Sequence, residues 1–245
     1  MNAAPRRCQV VNSFWLKLIA LVTMTIDHTA AALTCGSWYL PMRCIGRIAF
    51  PIYCFLLLEG FFHTRNRKQY LLRLLLLFLI SELVYDRALH GVWLYGANQN
   101  ILLTLAIGLG TVWLADGMEQ FLARVGGHLT GTRRAVALWA LKLAACFLGM
   151  ALAELTMADY GYGGIALILA FYFFRGKPVR LCVAVLLCLV LLIGPIEIFG
   201  LLALVPILLY SGRRGALLQG HGMQYAFYLY YPAHIAVLRF IQLVC

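Results

Sequence analysis

The chain has 245 residues, of which 63% are hydrophobic and only 12% are charged. Soluble domains contain about 25% charged residues, so this composition excludes an ordinary soluble enzyme and indicates a membrane protein in contact with the lipid bilayer. The net charge of +11 does not indicate nucleic-acid binding, because the basic residues lie in short connections between apolar runs. No connection is long enough to bury a core of its own, so we expect a single membrane domain over residues 1–245.

Apolar runs follow one another along the whole chain. They form about nine segments, at residues 14–33, 42–62, 70–85, 99–115, 135–155, 162–174, 181–193, 196–210 and 225–243. Such runs predict transmembrane helices. We expect Pro51 to kink the second helix, and Gly194 and Pro195 to separate the seventh from the eighth. The segment MEQFLARV predicts a short interfacial helix. The predicted fold is therefore an all-α, polytopic transmembrane bundle of about nine spans.

Basic residues mark one side of this predicted bundle. If the N-terminus is cytoplasmic, the outside loops and the C-terminal tail hold only Arg43, Arg87 and Arg239, and most other basic residues lie in inside connections. This asymmetry predicts a cytoplasmic N-terminus. Cys35 and Cys44 flank the first outside loop, and the sequence leaves open whether they form a disulfide or stay free thiols.

The first span contains three ionisable residues, Lys17, Asp27 and His28. An ionisable side chain at mid-bilayer costs about 2.5–3.5 kcal/mol on insertion scales, which favours a functional explanation. Lys17 and His28 are separated by about 16 Å along a helix and lie on nearly the same face, whereas Asp27 points about 100° away from His28. The structural alternatives are a lysine that reaches the interface and a histidine that bonds a neighbouring helix.

Other spans carry further polar residues. Arg43 and Arg47 lie one turn apart on one helical face, and Glu59 lies near the cytoplasmic end of the same span. An alternative for Arg47 and Glu59 is that they pair with buried groups and hold the bundle together. The remaining candidate site residues are Arg73, Asn100, Asp159, Tyr160, Tyr231 and His234.

This set of residues suits group transfer. A neutral histidine with a carboxylate nearby is a general-base arrangement, and arginine can bind phosphate or stabilise a developing oxyanion. The sequence has no metal-ligand spacing, no P-loop and no GxSxG motif, which makes hydrolase and ATPase mechanisms weak. A base and cationic groups spread across the membrane favour transfer from a phosphorylated donor inside to an acceptor outside.

Five motifs carry a resemblance to a known family. They are TIDH in span one, GRIAFPIYCFLLLEGF in span two, NQNILLTLAIGLG in span four, DYGYGG before span six and YAFYLYYPAH in span nine. Together they resemble the TraX family, whose members are inner-membrane proteins of conjugative plasmids that acetylate the N-terminus of pilin. TrbP proteins of related transfer systems look similar. The resemblance implies a multi-pass protein of the bacterial inner membrane.

The family also resembles a larger group of membrane acyltransferases that use acetyl-CoA. Those proteins typically carry a basic residue, ten intervening residues and a histidine in their first span, as Lys17 and His28 do here. The motif of span two is similar to their second-span element, with Glu59 where serine is usual. YLYYPAH is similar to their terminal element.

The resemblance implies a role for each candidate residue. Acetyl-CoA is the expected co-substrate, with no permanently bound cofactor and no metal, and a pilin subunit is the expected partner. His28 would be the general base, oriented by Asp27 or another carboxylate. Arg47 would stabilise the thioester oxygen, and Glu59 stays a catalytic candidate without a fixed role. Lys17, Arg43 and Arg73 would bind the phosphates of acetyl-CoA, and the acceptor would contact Asn100, Asp159, Tyr160, Tyr231 and His234.

The sequence leaves alternatives open for the acceptor, the mechanism and the class of function. The acceptor is either an amine or a sugar or lipid hydroxyl. Direct transfer is the default mechanism, and Cys54 is the candidate nucleophile for an acyl-enzyme. A different class of function is a non-enzymatic component for pilus assembly or transport.

Overall fold

The computed structural model describes residues 10–33, 35–126, 130–213, 215 and 221–244. Within these residues the fold is helical, and β-pairing is limited to two isolated bridges, Val11 with Tyr210 and Gln99 with Ala158. The α-helices are α1 Ser13–Ala32, α2 Tyr39–Gly46, α3 Ala49–His63, α4 Arg67–Leu89, α5 Ile101–Val125, α6 Gly131–Leu155, α7 Gly161–Phe173, α8 Pro178–Leu187, α9 Leu204–Leu208 and α10 His221–Val244. The predicted all-α class is confirmed.

Asparagine side chains cap the N-termini of three of the long helices. Asn12 accepts hydrogen bonds from the backbone N–H groups of Phe14 and Trp15 at the start of α1. Asn66 accepts from Gln69 before α4, and Asn100 accepts from Leu102 before α5. The first N–H groups of a helix lack partners within the helix, so these caps fix where α1, α4 and α5 begin.

The second apolar run is broken into two helices. A 3₁₀ turn, Gly36–Trp38, leads into α2, which ends at Gly46, and α3 begins at Ala49. The proline ring at Pro51 conflicts with the carbonyl four residues earlier in a continuous helix, which is that of Arg47. The predicted kink is confirmed, and the break lies at Arg47.

A second predicted boundary, at Gly194 and Pro195, is also confirmed. A π-helical segment, Cys188–Ile193, continues α8 and ends before Gly194, and a 3₁₀ segment, Pro195–Ala203, continues into α9. By contrast, the prediction for MEQFLARV is wrong. That segment forms the last two turns of α5, because helix formers fill most positions from Met118 to Val125 and Gly117 does not break the hydrogen-bond ladder, which continues to Gly126.

Several helices are apolar enough for a membrane. In the described part of the chain, three helical stretches have the length and composition to cross one, Gly36–His63, Ile101–Val125 and Gly131–Leu155. Shorter apolar helices cover Gly161–Phe173, Pro178–Ile193 and Pro195–Leu208. These helices indicate a membrane protein. The count of nine spans and the cytoplasmic N-terminus stay predictions, and residues 1–9, on which the charge pattern partly rests, lie outside the described residues.

Helix α7 lies in the middle of the bundle. Every residue from Gly163 to Phe171 is buried, which is the pattern of a helix covered on all sides. Gly108 of α5 allows close approach, because a Cβ atom there would lie 2.3 Å from Cδ1 of Ile168. The Cys35 and Cys44 side chains are free thiols in this structure.

Candidate functional site

A cavity of about 380 Å³ runs between α1, α3, α4, α5 and α10. We call it the central cavity. One end lies where α1 and α4 begin and carries Lys17 and Arg73 in its lining. The other end is lined by Met24 of α1 and by Tyr230 and Tyr231 of α10. The structure therefore places two of the predicted phosphate-binding residues on one continuous space.

The walls of the central cavity are apolar with a few hydroxyl groups. The Tyr53 hydroxyl donates to Sδ of Met24 at 3.5 Å, and the Tyr230 hydroxyl lies 2.9 Å from Oγ1 of Thr25. The Tyr231 hydroxyl is buried and has no hydrogen-bond partner among the described residues. Such walls fit an elongated ligand with an apolar body and scattered polar groups.

His28 is near the far end of the central cavity but is absent from its lining, which is drawn from the described residues. Its ring centroid is 5.9 Å from that of Tyr231, which lines the cavity. Its Nδ1 atom is 2.7 Å from Nε2 of His234 on α10. We call His28 and His234 the histidine pair. His234 was expected to contact the acceptor, and the structure shows it bonded to His28, a residue 206 positions away in the chain.

Asp27 belongs to a separate cluster, which we call the charge network. Its Oδ2 accepts from Nη1 of Arg43 at 2.6 Å, and its Oδ1 accepts from Nη2 of Arg47 at 2.5 Å. Arg47 also donates from Nη1 to Oε1 of Glu197 at 2.8 Å and to the hydroxyl of Tyr160 at 3.2 Å. Two arginines therefore face two carboxylates, and this arrangement matches the structural alternative for Arg47.

Glu197 was not identified from the sequence. Its signal was a carboxylate inside an apolar run, two residues after Pro195. Its side chain is 4% exposed, and a buried carboxylate of this kind needs a cationic partner. Arg47 supplies it, so the 3₁₀ segment is tied to the start of α3.

The approach of α1 to α2 depends on Gly46. A Cβ atom at this position would lie 2.2 Å from Oδ1 of Asp27 and 2.3 Å from its Cβ. No side chain fits there without displacement of Asp27. Gly46 therefore gives Asp27 the room to reach both arginines.

The NQN and DYGYGG motifs meet at one place in the fold. The N–H of Gln99 donates to the carbonyl of Met157 at 2.9 Å, and the N–H of Asp159 donates to the carbonyl of Gln99 at 3.1 Å. Tyr160 adopts a left-handed conformation with φ of 64° and stacks on Phe50 at 3.9 Å between ring centroids. The two motifs thus hold the connection before α7 against α5 and direct Tyr160 toward the charge network.

Asn100 and Asp159, both predicted to contact the acceptor, have internal partners. Asn100 is fully buried and donates from its backbone N–H to Oε2 of Glu82 at 3.0 Å, and from its side chain to the same atom. Asp159 lies in the connection between α6 and α7, and burial raises the pKa of its carboxyl group to about 7. A carboxyl group of this kind exchanges a proton near neutral pH.

Two other predicted residues lie apart from His28. Glu59 lines the central cavity near the end where Lys17 lies and accepts from Arg175 at 3.0 Å. Arg43 is held by Asp27, and it is absent from the cavity lining, which is drawn from the described residues. The structure therefore brings Lys17 and Arg73 to one cavity and leaves Arg43 with the charge network.

Comparisons with known proteins cover nearly the whole sequence. The family model described as TraX protein matches residues 13–242. The chain is similar to the probable fimbrial assembly protein FimC, serogroup H1, of Dichelobacter nodosus, with 30% identity over 93% of this chain and 94% of that protein. No solved structure matches the chain. Because the family model covers nearly the whole sequence, the chain belongs to the TraX family.

Proposed function

We propose that this protein is a multi-pass acetyltransferase of the bacterial inner membrane that moves an acetyl group from cytoplasmic acetyl-CoA to the N-terminal amine of a pilin subunit. Membership of the TraX family supports a role connected with pili. The relative from Dichelobacter nodosus supports the same role, since its name describes fimbrial assembly. With the N-terminus in the cytoplasm, the Lys17 end of the central cavity would face the donor.

One observation carries the proposal. The central cavity connects Lys17 and Arg73 to Tyr231, and the ring of Tyr231 lies against His28. The rise of α1 separates Lys17 from His28 by about 16 Å. That distance is of the same order as the pantetheine arm, which separates the phosphates of acetyl-CoA from its thioester.

The two ends of the cavity suit the two ends of this donor. Lys17 and Arg73 would bind phosphate groups as cations. Lys17 lies 5.3 Å from the ring centroid of Phe227, which keeps its ammonium group at the cavity entrance. The apolar walls and tyrosine hydroxyls would surround the pantetheine arm and bond its amides.

His28 would act as the general base. As the amine nitrogen attacks the thioester carbonyl carbon, the Nε2 atom of His28 takes a proton from the amine. The C–N bond forms, the C–S bond breaks, and the proton passes from His28 to the departing thiolate. Among the described residues, Nε2 of His28 has no hydrogen-bond partner, so it is available for this step.

The charge network would support this site without touching the thioester. Arg47 donates to Asp27, Glu197, Tyr160 and the carbonyl of Arg43, which engages most of its N–H groups. We therefore replace the expected role of Arg47 at the thioester oxygen with a structural one. Asp27 and Arg47 hold α1 in place, and His28 is the next residue on that helix.

The test uses the purified protein in nanodiscs with labelled acetyl-CoA and a synthetic peptide that carries the pilin N-terminus. We expect label in the peptide and a mass increase of one acetyl group. A peptide whose N-terminal amine is already blocked should take no label. His28→Gln should lower the rate by at least about 100-fold, because it removes the base.

His90→Gln is the matched control, because His90 lies at the end of α4, stacked on Tyr95, and should react like the wild type. Unchanged transfer in His28→Gln would exclude the general-base role. Label on a sugar or lipid hydroxyl, with none on the peptide, would replace pilin as the acceptor.

A second candidate function is a non-enzymatic assembly component, which the name of the Dichelobacter nodosus relative favours. Intact-mass measurement of pilin from cells with and without this protein separates the two. The enzyme predicts pilin that is lighter by one acetyl group when the protein is missing. An unchanged pilin mass together with a loss of pili would favour the assembly component.

A further inference from the structure

The histidine pair is part of a chain of hydrogen bonds that ends on the backbone. Nδ1 of His234 lies 2.9 Å from the carbonyl oxygen of Tyr230, and Nε2 of His234 lies 2.7 Å from Nδ1 of His28. A backbone carbonyl only accepts hydrogen bonds. Nδ1 of His234 must therefore carry a hydrogen atom, and this fixes the direction of the whole chain.

The remaining protons follow from the chemistry of imidazole. A neutral histidine has one N–H group, so Nε2 of His234 is an acceptor. Nδ1 of His28 must then donate to it, which leaves the lone pair of His28 on Nε2. The opposite tautomer of His28 would place two nitrogen lone pairs 2.7 Å apart, and such an arrangement is repulsive.

If His234 were charged, its Nε2 would donate to Nδ1 of His28, and the hydrogen bond between the two rings would be reversed. The surroundings of His234 oppose this charge. The residue is 7% exposed, and within the described part of the chain its side chain bonds His28 and the backbone of Tyr230, with no carboxylate among its partners. A buried cation without an anionic partner is costly. The neutral form with hydrogen on Nδ1 is the one that satisfies both neighbours.

Aromatic rings fix the orientation of His234. The Tyr230 ring stacks on it with centroids 5.1 Å apart and planes 11° apart, and the Tyr231 ring lies edge-on at 5.6 Å. The ring of His28 is nearly parallel to it, at an angle of 6°. His234 therefore has little freedom to rotate away from His28.

We infer that His234 is a positioning residue that holds His28 in the tautomer with a free Nε2 lone pair. This inference rests on the proposed function of His28 as the base. His234 does for His28 what a carboxylate does for the histidine of a catalytic triad, since it accepts from the ring nitrogen that is not used in catalysis. It also bonds the imidazolium that forms when Nε2 takes the proton.

Two variants of similar size separate positioning from packing. In His234→Gln, the amide oxygen can reach the position of Nε2 and accept from His28. In His234→Asn, the shorter side chain can contact the Tyr230 carbonyl but does not reach His28. We expect the asparagine variant to lower kcat by about 10- to 1,000-fold, with KM changed less than threefold, because the wrong tautomer of His28 becomes populated. The glutamine variant should stay within about tenfold of wild-type kcat.

Comparable thermal unfolding midpoints for the two variants would show that both fold. Wild-type kcat in His234→Asn would overturn the inference. Equal losses in both variants would overturn it as well, because packing would then account for the effect.

A spectroscopic test does not depend on turnover. Nitrogen NMR of the ¹⁵N-histidine-labelled full-length protein distinguishes protonated from unprotonated ring nitrogens, and His28→Gln identifies the His28 signals. We expect hydrogen on Nδ1 of His28 in the wild type and a mixture of tautomers in His234→Asn. Hydrogen on Nε2 of His28 in the wild type would overturn the inference. An inactive wild type with the expected tautomer would instead reject the proposed function and leave the positioning geometry standing.

Discussion

The charge network and the histidine pair lie side by side on α1 but differ in how their polar groups are satisfied. In the charge network, Asp27 binds two arginines, and one of them binds Glu197. In the histidine pair, a neutral chain of hydrogen bonds leaves one nitrogen of His28 without a partner in the described part of the chain. Bonds between charged groups hold helices together, whereas the unpaired nitrogen of His28 can accept a proton.

We therefore expect substitutions in the charge network to lower stability and substitutions in the histidine pair to lower activity. Removal of one member of a buried ion pair leaves an uncompensated charge, and this is strongly destabilising. Substitution of His28 by glutamine removes the nitrogen that would accept the proton but changes the packing little. The predictions below compare the two regions through matched substitutions.

The largest effect on stability is expected for Asp27→Ala. The side chains of Asp27 and Arg47 are only 11% and 10% exposed. The substitution removes the carboxylate that both arginines bind, and among the described residues Arg47 keeps only Glu197 as a carboxylate partner. We expect the free energy of unfolding to fall by about 3–5 kcal/mol, measured by denaturant titration in detergent micelles. His28→Gln is the comparison and should cost about 1 kcal/mol or less. Similar losses in both variants would remove the distinction between the two regions.

Gly46→Ala should produce the next largest loss. The added methyl group would overlap the Asp27 side chain, and such overpacking costs about 1–3 kcal/mol. Gly110→Ala in α5 is the control, since a Cβ atom there meets nothing within 4 Å. The control should be as stable as the wild type or more stable, because alanine favours helix over glycine by about 0.5–1 kcal/mol. A stable Gly46→Ala protein would mean that α1 and α2 do not approach as closely as described.

Removal of the hydroxyl group from Tyr160 and from Tyr231 should change stability by smaller amounts and in different directions. Tyr160→Phe removes a hydrogen bond from Arg47 and should cost about 1–2 kcal/mol. Tyr231→Phe removes a buried hydroxyl that has no partner among the described residues, so it should leave unfolding unchanged or shift it slightly upward. Thermal unfolding of the two variants side by side measures the difference. A clear loss for Tyr231→Phe would reveal a bonded hydroxyl and would contradict the geometry at the cavity end.

The positions of the helices could be predicted because apolar runs, proline and glycine act locally. Pro51 sets the break before α3, and Gly194 and Pro195 set the boundary after α8, each through its own backbone. The end of α5 was predicted wrongly because a local pattern was taken for a separate helix. MEQFLARV reads as a separate amphipathic segment, but no residue within it interrupts the helix that precedes it.

The partners of the site residues could be predicted only in part. The pairing of Arg47 with a buried acid was one alternative, and charge balance supports it. The bond from His28 to His234 joins residues 206 positions apart and depends on how α1 and α10 are rotated against each other, which no periodicity in either helix fixes. Glu197 was missed because its neighbours are apolar and its partner lies far away in the sequence.

Among the ion pairs, the smallest loss is expected for Arg67→Gln, which extends the comparison to the edge of the bundle. Arg67 donates to Asp116 at 2.7 Å, within the 2.5–2.8 Å range of the ion pairs in the charge network, but the side chains are 35% and 33% exposed. Water and salt screen a pair at such a site, so it contributes about 0–1 kcal/mol. The substitution also removes the guanidinium group, whose Cζ lies 4.1 Å from the Phe61 ring centroid.

Arg47→Gln is the matched substitution and should cost several times more, because it strands Glu197 in a buried site and leaves Asp27 with Arg43 alone. Urea titrations of the two variants in the same detergent give the ratio. A ratio near one would mean that burial does not determine how much these ion pairs contribute to the free energy of unfolding. The charge network would then have no special part in holding the helix that carries His28.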